Sequence, residues 1–120
     1  MTDQLTTPEA ADADKPMVYV VDQQPFNYEP AAKHGTLYFL KATKLAPKTP
    51  VGYNAHNESV IHALKRELSE YVPGRDFVIP TGAPAKLLLV GMLLAQLGPR
   101  HKLLGWDARL QDYLVYIVDV

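Results

Sequence analysis

Asp76-Phe77-Val78-Ile79-Pro80-Thr81-Gly82-Ala83-Pro84-Ala85-Lys86 is the stretch whose reading decides the fold. Asp76 to Ile79 is a short run rich in β-formers, closed at once by a proline, a threonine and a glycine. Pro84 suits the first turn of a helix, because the missing N–H would be unpaired there anyway, and Gly98-Pro99 stops that helix. A strand, a tight turn and a helix in direct succession form the building unit of an α/β protein.

Upstream, Met17-Val18-Tyr19-Val20-Val21 is apolar without alternation and ends at Asp22. Continuous apolarity marks a strand covered on both faces, as in a parallel sheet. Gln23 to Gly35 connects it onward, with a helical turn expected from Pro30 to His34. Thr36 to Leu40 reads as a second strand and Lys41 to Tyr53 as an exposed loop. An amphipathic helix follows, capped by Asn54 or Asn57. Its apolar stripe is Val60, Ile61, Ala63, Leu64, Leu68 and Tyr71, opposite Lys65, Arg66, Glu67 and Glu70.

Downstream, the helix from Pro84 to Leu97 carries only Lys86 and Gln96 as plainly polar residues. A helix without a wet face is covered by something, and in a chain of 120 residues a subunit interface is the expected cover. His101 to Trp106 is a fourth strand. A polar turn from Asp107 to Asp112 leads to a fifth, Tyr113 to Val118, which so short a connection pairs antiparallel. Both alternating faces of that last strand are apolar, so it is expected to be covered on both sides. The whole is a Rossmann-like three-layer α/β domain over residues 17–120. It has four mostly parallel strands, a C-terminal antiparallel strand and two main helices, with right-handed crossovers.

Residues 1–16 are acidic and poor in apolar groups, and read as a disordered tail. Asp3, Glu9, Asp12 and Asp14 against Lys15 make −3, which leaves +2 for the remainder of a chain whose net charge is −1. A surplus that small does not point to nucleic acid or to an anionic membrane. Hydrophobic residues make up 48% and charged residues 21% of the chain, the balance of a soluble globular domain. The absence of cysteine fits a reducing compartment and the acidic start has no signal-like apolar stretch, so a cytoplasmic location is expected. Zero cysteines exclude disulfides and thiolate chemistry within this sequence. The apolar run from Ala83 to Leu97 is interrupted by Lys86 and Gln96 and is shorter than the about 20 residues a membrane helix needs.

Functional expectations gather at the carboxyl edge of the expected sheet. There Thr81, Gly82 and Ala83 meet a helix N-terminus with Lys86 one turn in, the arrangement that receives anions. Asp22, Gln23 and Gln24, at the end of the first strand, line the opposite wall if the two strands run parallel. The stretch is neither G-x-G-x-x-G nor a phosphate-binding lysine loop. Metal ligation is not expected: His56 and His62 are six apart, and no H-E-x-x-H or H-x-H occurs. The only serines, Ser59 and Ser69, lie in a helix, so no nucleophile elbow is present. Lys41, Lys44 and Lys48 near Tyr38, Phe39 and Tyr53 could form a basic–aromatic patch, but lysines in a proline-bearing loop read first as a solvated surface.

The C-terminal half, from Asp76 through Pro84 to Leu103-Leu104-Gly105-Trp106-Asp107 and Tyr113, resembles small α/β proteins of bacteriophages and mobile elements. In those, a strand ending in a small-residue G-x-P turn precedes an apolar helix and a Leu-Leu-x-Trp-Asp…Tyr hairpin. The resemblance implies a Rossmann-like fold and a phage accessory role, and carries over no catalytic residue. The same element order is also similar to half of the CRISPR-associated Rossmann-like sensors of cyclic oligonucleotides, a likeness of fold that establishes no function.

The expectation is therefore a non-enzymatic accessory protein without a cofactor. It binds a nucleotide-like or anionic small ligand at the turn 81–86 and forms a homo-oligomer through helix 84–97. The alternatives are an interaction module for a host or viral protein, and a weak phosphodiesterase or nuclease using Asp22 or His101.

Overall fold

In a computed structural model, residues 15–49, 52 and 54–120 are described. The expected acidic tail falls almost wholly on residues 1–14 and lies outside the described residues. The strands are β1 (Met17–Val20), β2 (Thr36–Phe39), β3 (Phe77–Ile79), β4 (Arg100–Asp107) and β5 (Asp112–Asp119). The helices are α1 (Asn54–Glu67) and α2 (Pro84–Ala95), with a 3-10 turn at Glu29–Lys33. The sheet order is β2-β1-β3-β4-β5. β1 pairs in parallel with β2 and with β3, β3 pairs in parallel with β4, and only β4–β5 is antiparallel.

Two apolar layers hold this sheet. Tyr19, Val21 and Val78 face α1 and α2, packing with Val60, Leu64, Leu68, Val90, Leu93 and Leu94. Val18, Val20, Phe77, Ile79 and Leu104 face the other way, onto Tyr28 and Ala31 of the segment between β1 and β2. That segment is the third layer. Burying a side chain such as Leu64, which is 0% exposed, stabilises the fold by roughly 1.5–3 kcal/mol. The chain leaves β1 toward β2 over one face, then returns past β1 to β3 over the other. Opposite directions over opposite faces keep both crossovers the same hand.

Asp76 fixes the relation of β1 to β3. Fully buried, it accepts from Met17 N at 2.9 Å and Val72 N at 2.7 Å and pairs with Arg75 at 2.8 Å. The carboxylate thus ties the first residue of β1 to the start of β3 in the register Val18↔Phe77.

Two expectations change. Asn57 does not act as a cap, since its amide makes a two-way pair with the backbone of Ala46, accepting at 2.7 Å and donating at 3.0 Å. That pair straps the lysine loop to α1. Nor is β5 covered on both sides by the described residues: it is the outer strand, and Val115, Tyr116, Ile117 and Val118 are all exposed. α1 and α2 lie with β1 and β3, and the segment from Tyr28 to Ala31 reaches no further across the second face than Leu104 and Tyr113.

Candidate functional site

In the order β2-β1-β3 the chain first steps one way from β1 and later the other. The carboxyl ends of β1 and β3 therefore part at a switch point, where open α/β sheets form their crevice. Backbone bonds carry the pairing of β1 on to this rim, with β3 through Val21 N donating to Ile79 O at 3.1 Å and with β2 through Leu40 N donating to Val20 O at 2.9 Å.

Asp22, Thr81, Gly82, Ala83 and Lys86 come together there. Thr81 Oγ1 donates to the Asp22 carbonyl at 2.7 Å, and Ala83 N donates to the Asp22 carboxylate at 3.2 Å. Lys86 Nζ donates to the other carboxylate oxygen at 2.5 Å and to the Ala42 carbonyl at 2.7 Å. Lys86 is 1% exposed. Gly82 sits at φ +122°, and a Cβ there would lie 2.1 Å from the Asp22 carboxylate. The glycine is needed because the backbone of the turn and that carboxylate approach so closely.

Asp22 thus takes, from the neighbouring strand, the place an anion takes at a helix N-terminus. α2 has no side-chain cap of its own at Ala83, and Asp22 supplies one in trans. The residues expected to receive a ligand anion are placed together, and a carboxylate of the chain is what they hold.

Gln23 and Gln24 continue the wall. A polar shelf lined by Asp22, Gln23, Gln24, Phe26, Lys44, Pro80, Thr81, Gly82 and Ala83 opens to solvent. Beside it lies an apolar cavity of about 340 Å³, lined by Phe26, Asn27, Ile79, Pro80, Thr81, Leu104, Gly105, Trp106 and Tyr113. The two share Phe26, Pro80 and Thr81. The Trp106 and Tyr113 rings meet edge to face, 5.0 Å apart. The wall that carries Phe26 is held in place: Gln24 N donates to the buried Tyr28 hydroxyl at 2.8 Å, and Tyr113 OH to the Asn27 carbonyl at 3.2 Å.

Phe26, Trp106 and Tyr113 were not singled out as ligand contacts from the sequence. The signal was present: β4 runs parallel to β3, so its carboxyl end, where Trp106 sits, emerges at the same rim.

His101 lies at the other end of β4, buried, with Nε2 donating to the Gly98 carbonyl at 2.7 Å and Nδ1 2.6 Å from the Tyr71 hydroxyl. Asp22 and His101 are at opposite ends of the sheet and cannot act on one substrate. Among the described residues, no group of three or more His, Asp or Glu side chains is placed to hold a metal ion. Tyr38 and Phe39 pack against opposite faces of the sheet, so they do not form one platform, and of the pair Tyr38 alone meets a lysine of the loop, Lys41 Nζ lying 5.9 Å from its ring centroid. Tyr53 lies outside the described residues. No described helix is long and apolar enough to cross a membrane.

Residues 16–120 match the Phage Pam3 gp32-like protein family. The chain belongs to that family. The match runs from the start of β1 through β5 and so contains the whole rim, which agrees with the phage resemblance read from the strand–turn–helix and the hairpin. No curated protein and no solved structure matches the chain.

Proposed function

We propose that this phage-family protein is a small-ligand binding module. Its rim holds a nucleoside-like molecule, with a planar ring in the cavity beside Trp106 and polar groups on the shelf of Asp22, Gln23, Gln24, Thr81 and Gly82. One observation carries the reading: an apolar, aromatic-lined cavity and a polar shelf adjoin at the switch point and share Phe26, Pro80 and Thr81. An apolar pocket with a few convergent polar groups is the usual composition of a small-molecule site.

A phosphate would have to displace the Asp22 carboxylate from Ala83 N and Lys86 Nζ. Ring and hydroxyl recognition therefore leads in this reading, and anion recognition follows. Trp106 is the single tryptophan, so its fluorescence reports on the cavity. Titration with nucleosides, nucleoside monophosphates and inorganic phosphate is the test. Saturable change with nucleosides, equal or stronger than with their phosphates, is expected. Silence from every ring-bearing compound refutes the reading. A thermal shift with inorganic phosphate alone supports the purely anionic version.

A second reading, an interaction module, is favoured by α2. Its exposed face is Leu88 and Met92, 66% and 62% exposed, with Gly91 and Ala95 between and beyond them. This i, i+3, i+4, i+7 stripe is apolar throughout, suited to a second copy of the helix or to an apolar groove on a host or viral protein. Loss of association in Leu88→Glu with Met92→Glu, with the fold retained, is the corresponding test.

A further inference from the structure

We infer that β5 is a self-pairing edge: two copies of the chain join antiparallel along β5, about a two-fold axis through Tyr116, into one continuous sheet.

β5 reads Asp112-Tyr113-Leu114-Val115-Tyr116-Ile117-Val118-Asp119, eight residues without a proline, a lysine or a glycine. Its full length pairs with β4 in unbroken register, so no bulge twists it away. Proteins that leave such an edge free shorten it, charge it, bulge it or cover it, because its unpaired N–H and C=O groups template another strand. Here the only charges are terminal, and each is already paired within the chain: Asp112 with Lys33, and Asp119 with Arg100 at 2.8 Å.

The backbone settles which residues can pair outward. Val120 N donates to Pro99 O at 2.8 Å, one step beyond the pair Arg100↔Asp119. In an antiparallel ladder the residues bonding to one neighbour alternate with those facing away. Even-numbered residues of β5 therefore bond to β4, and Tyr113, Val115, Ile117 and Asp119 present their backbone groups to solvent.

A second copy with its two-fold at Tyr116 places Val115 opposite Ile117 and Tyr113 opposite Asp119, all of them outward-bonding. Together these form about eight backbone hydrogen bonds. Leu114 meets Val118, and Tyr116 meets itself in a non-hydrogen-bonded pair. Apolar faces apolar through the centre, and no aspartate faces another. Shifting by one residue sets Asp112 against Asp119 and opposes bonding residues to non-bonding ones.

Val115, Tyr116, Ile117, Val118 and Val120 are 43, 52, 58, 37 and 73% exposed. At roughly 150 Å² per fully exposed side chain of this size, they offer on the order of 400 Å² of apolar area per copy. This is about half of the about 800 Å² per partner of a standard interface, the size of a weak, concentration-dependent dimer whose backbone bonds add to the apolar contact. A second copy fits better than an unrelated strand because outward bonding, apolar pairing and charge placement all match under the same rotation.

Light scattering of the full chain at about 100 µM should give twice the 13.3 kDa chain mass, falling toward the monomer on dilution to about 1 µM. Ile117→Pro removes an N–H that β4 does not use, so it should yield a folded monomer; Ile117→Lys should do the same if the proline variant fails to fold. Because the chain has no cysteine, Tyr116→Cys reports register. Its two copies would lie about 4.5 Å apart at Cα, within disulfide reach, and should cross-link on mild oxidation. Val118→Cys, about 13 Å from its mate, should not. A monomer at every concentration overturns the inference, as does a dimer that survives both Ile117 variants. So does cross-linking at Val118 but not at Tyr116. A dimer lost only in Leu88→Glu with Met92→Glu also overturns it and assigns the contact to α2.

Discussion

Asp22 and Lys86 form the residue-scale centre of the molecule. Sixty-four positions apart in sequence, they bind the end of β1 to the first turn of α2. Lys86 is almost wholly enclosed and Asp22 partly open, with side chains 1% and 18% exposed. Removing either charge alone strands the other, and the more deeply buried partner suffers more. Asp22→Ala should therefore destabilise the fold by about 3 kcal/mol, and Lys86→Met by less, about 2 kcal/mol. The double variant should cost clearly less than the two single losses added together. Urea unfolding of the four proteins measures this coupling, and strict additivity would remove the pair from its central place. Two tyrosines are similarly governed by surroundings: burial, then the nearby Asp76 charge, pushes the Tyr19 and Tyr71 phenols up to about 12.

At the scale of elements, the β4–β5 hairpin and α2 differ in how their ends are made. α2 borrows its cap from β1, whereas the hairpin carries its own turn chemistry. Asp107 Oδ1 accepts from Arg109 N at 2.9 Å and Leu110 N at 3.0 Å, and Gln111 closes the turn at φ 53°. Short polar side chains that bond the backbone two residues on define such turns. Asp107→Ala should cost about 1 kcal/mol. It should also loosen the wall that carries Trp106, which a lower melting temperature and a weaker response to ring-bearing ligands would reveal together. Unchanged stability would show that the turn forms without those bonds. The hairpin was legible in the sequence from Asp107 and Asp112 alone, because its chemistry is local. The trans cap was not, because nothing near Ala83 in sequence points to Asp22. The exposure of β5 was missed for a related reason. An apolar strand reads the same whether it lies at the centre of a sheet or at an edge that awaits a partner.

For the molecule as a whole, pH acts most clearly through His34. Its Nε2 is buried without a hydrogen-bond partner, and its ring lies 5.1 Å from that of Phe77. Burial, with Lys33 adding to it, holds its pKa below the ordinary 6.5. The folded state then binds fewer protons than the unfolded chain once the pH drops under 6.5. The stability linked to this group is complete above that value and fades as the pH falls through the lower, folded-state pKa. Melting temperatures at pH 7.5 and pH 5 should show the loss, and His34→Phe should flatten it; equal slopes in the two proteins would place the acid sensitivity elsewhere.

What the sequence alone determined is what local pattern and short-range chemistry can carry. That covers the five strands and two helices, the mostly parallel sheet with one antiparallel strand, and the strand–turn–helix from Asp76 to Lys86; the meeting of Asp22 with Gly82 followed only once β1 and β3 were found side by side and parallel. Continuous apolar runs, proline and glycine punctuation and strand–helix alternation act over a few residues and survive any packing. Long-range packing alone sets Asp22 at the helix N-terminus, puts Trp106 and Phe26 on the walls of a cavity next to it, and leaves β5 uncovered among the described residues. Those placements depend on which distant groups come within hydrogen-bond reach and on which strand is last in the sheet.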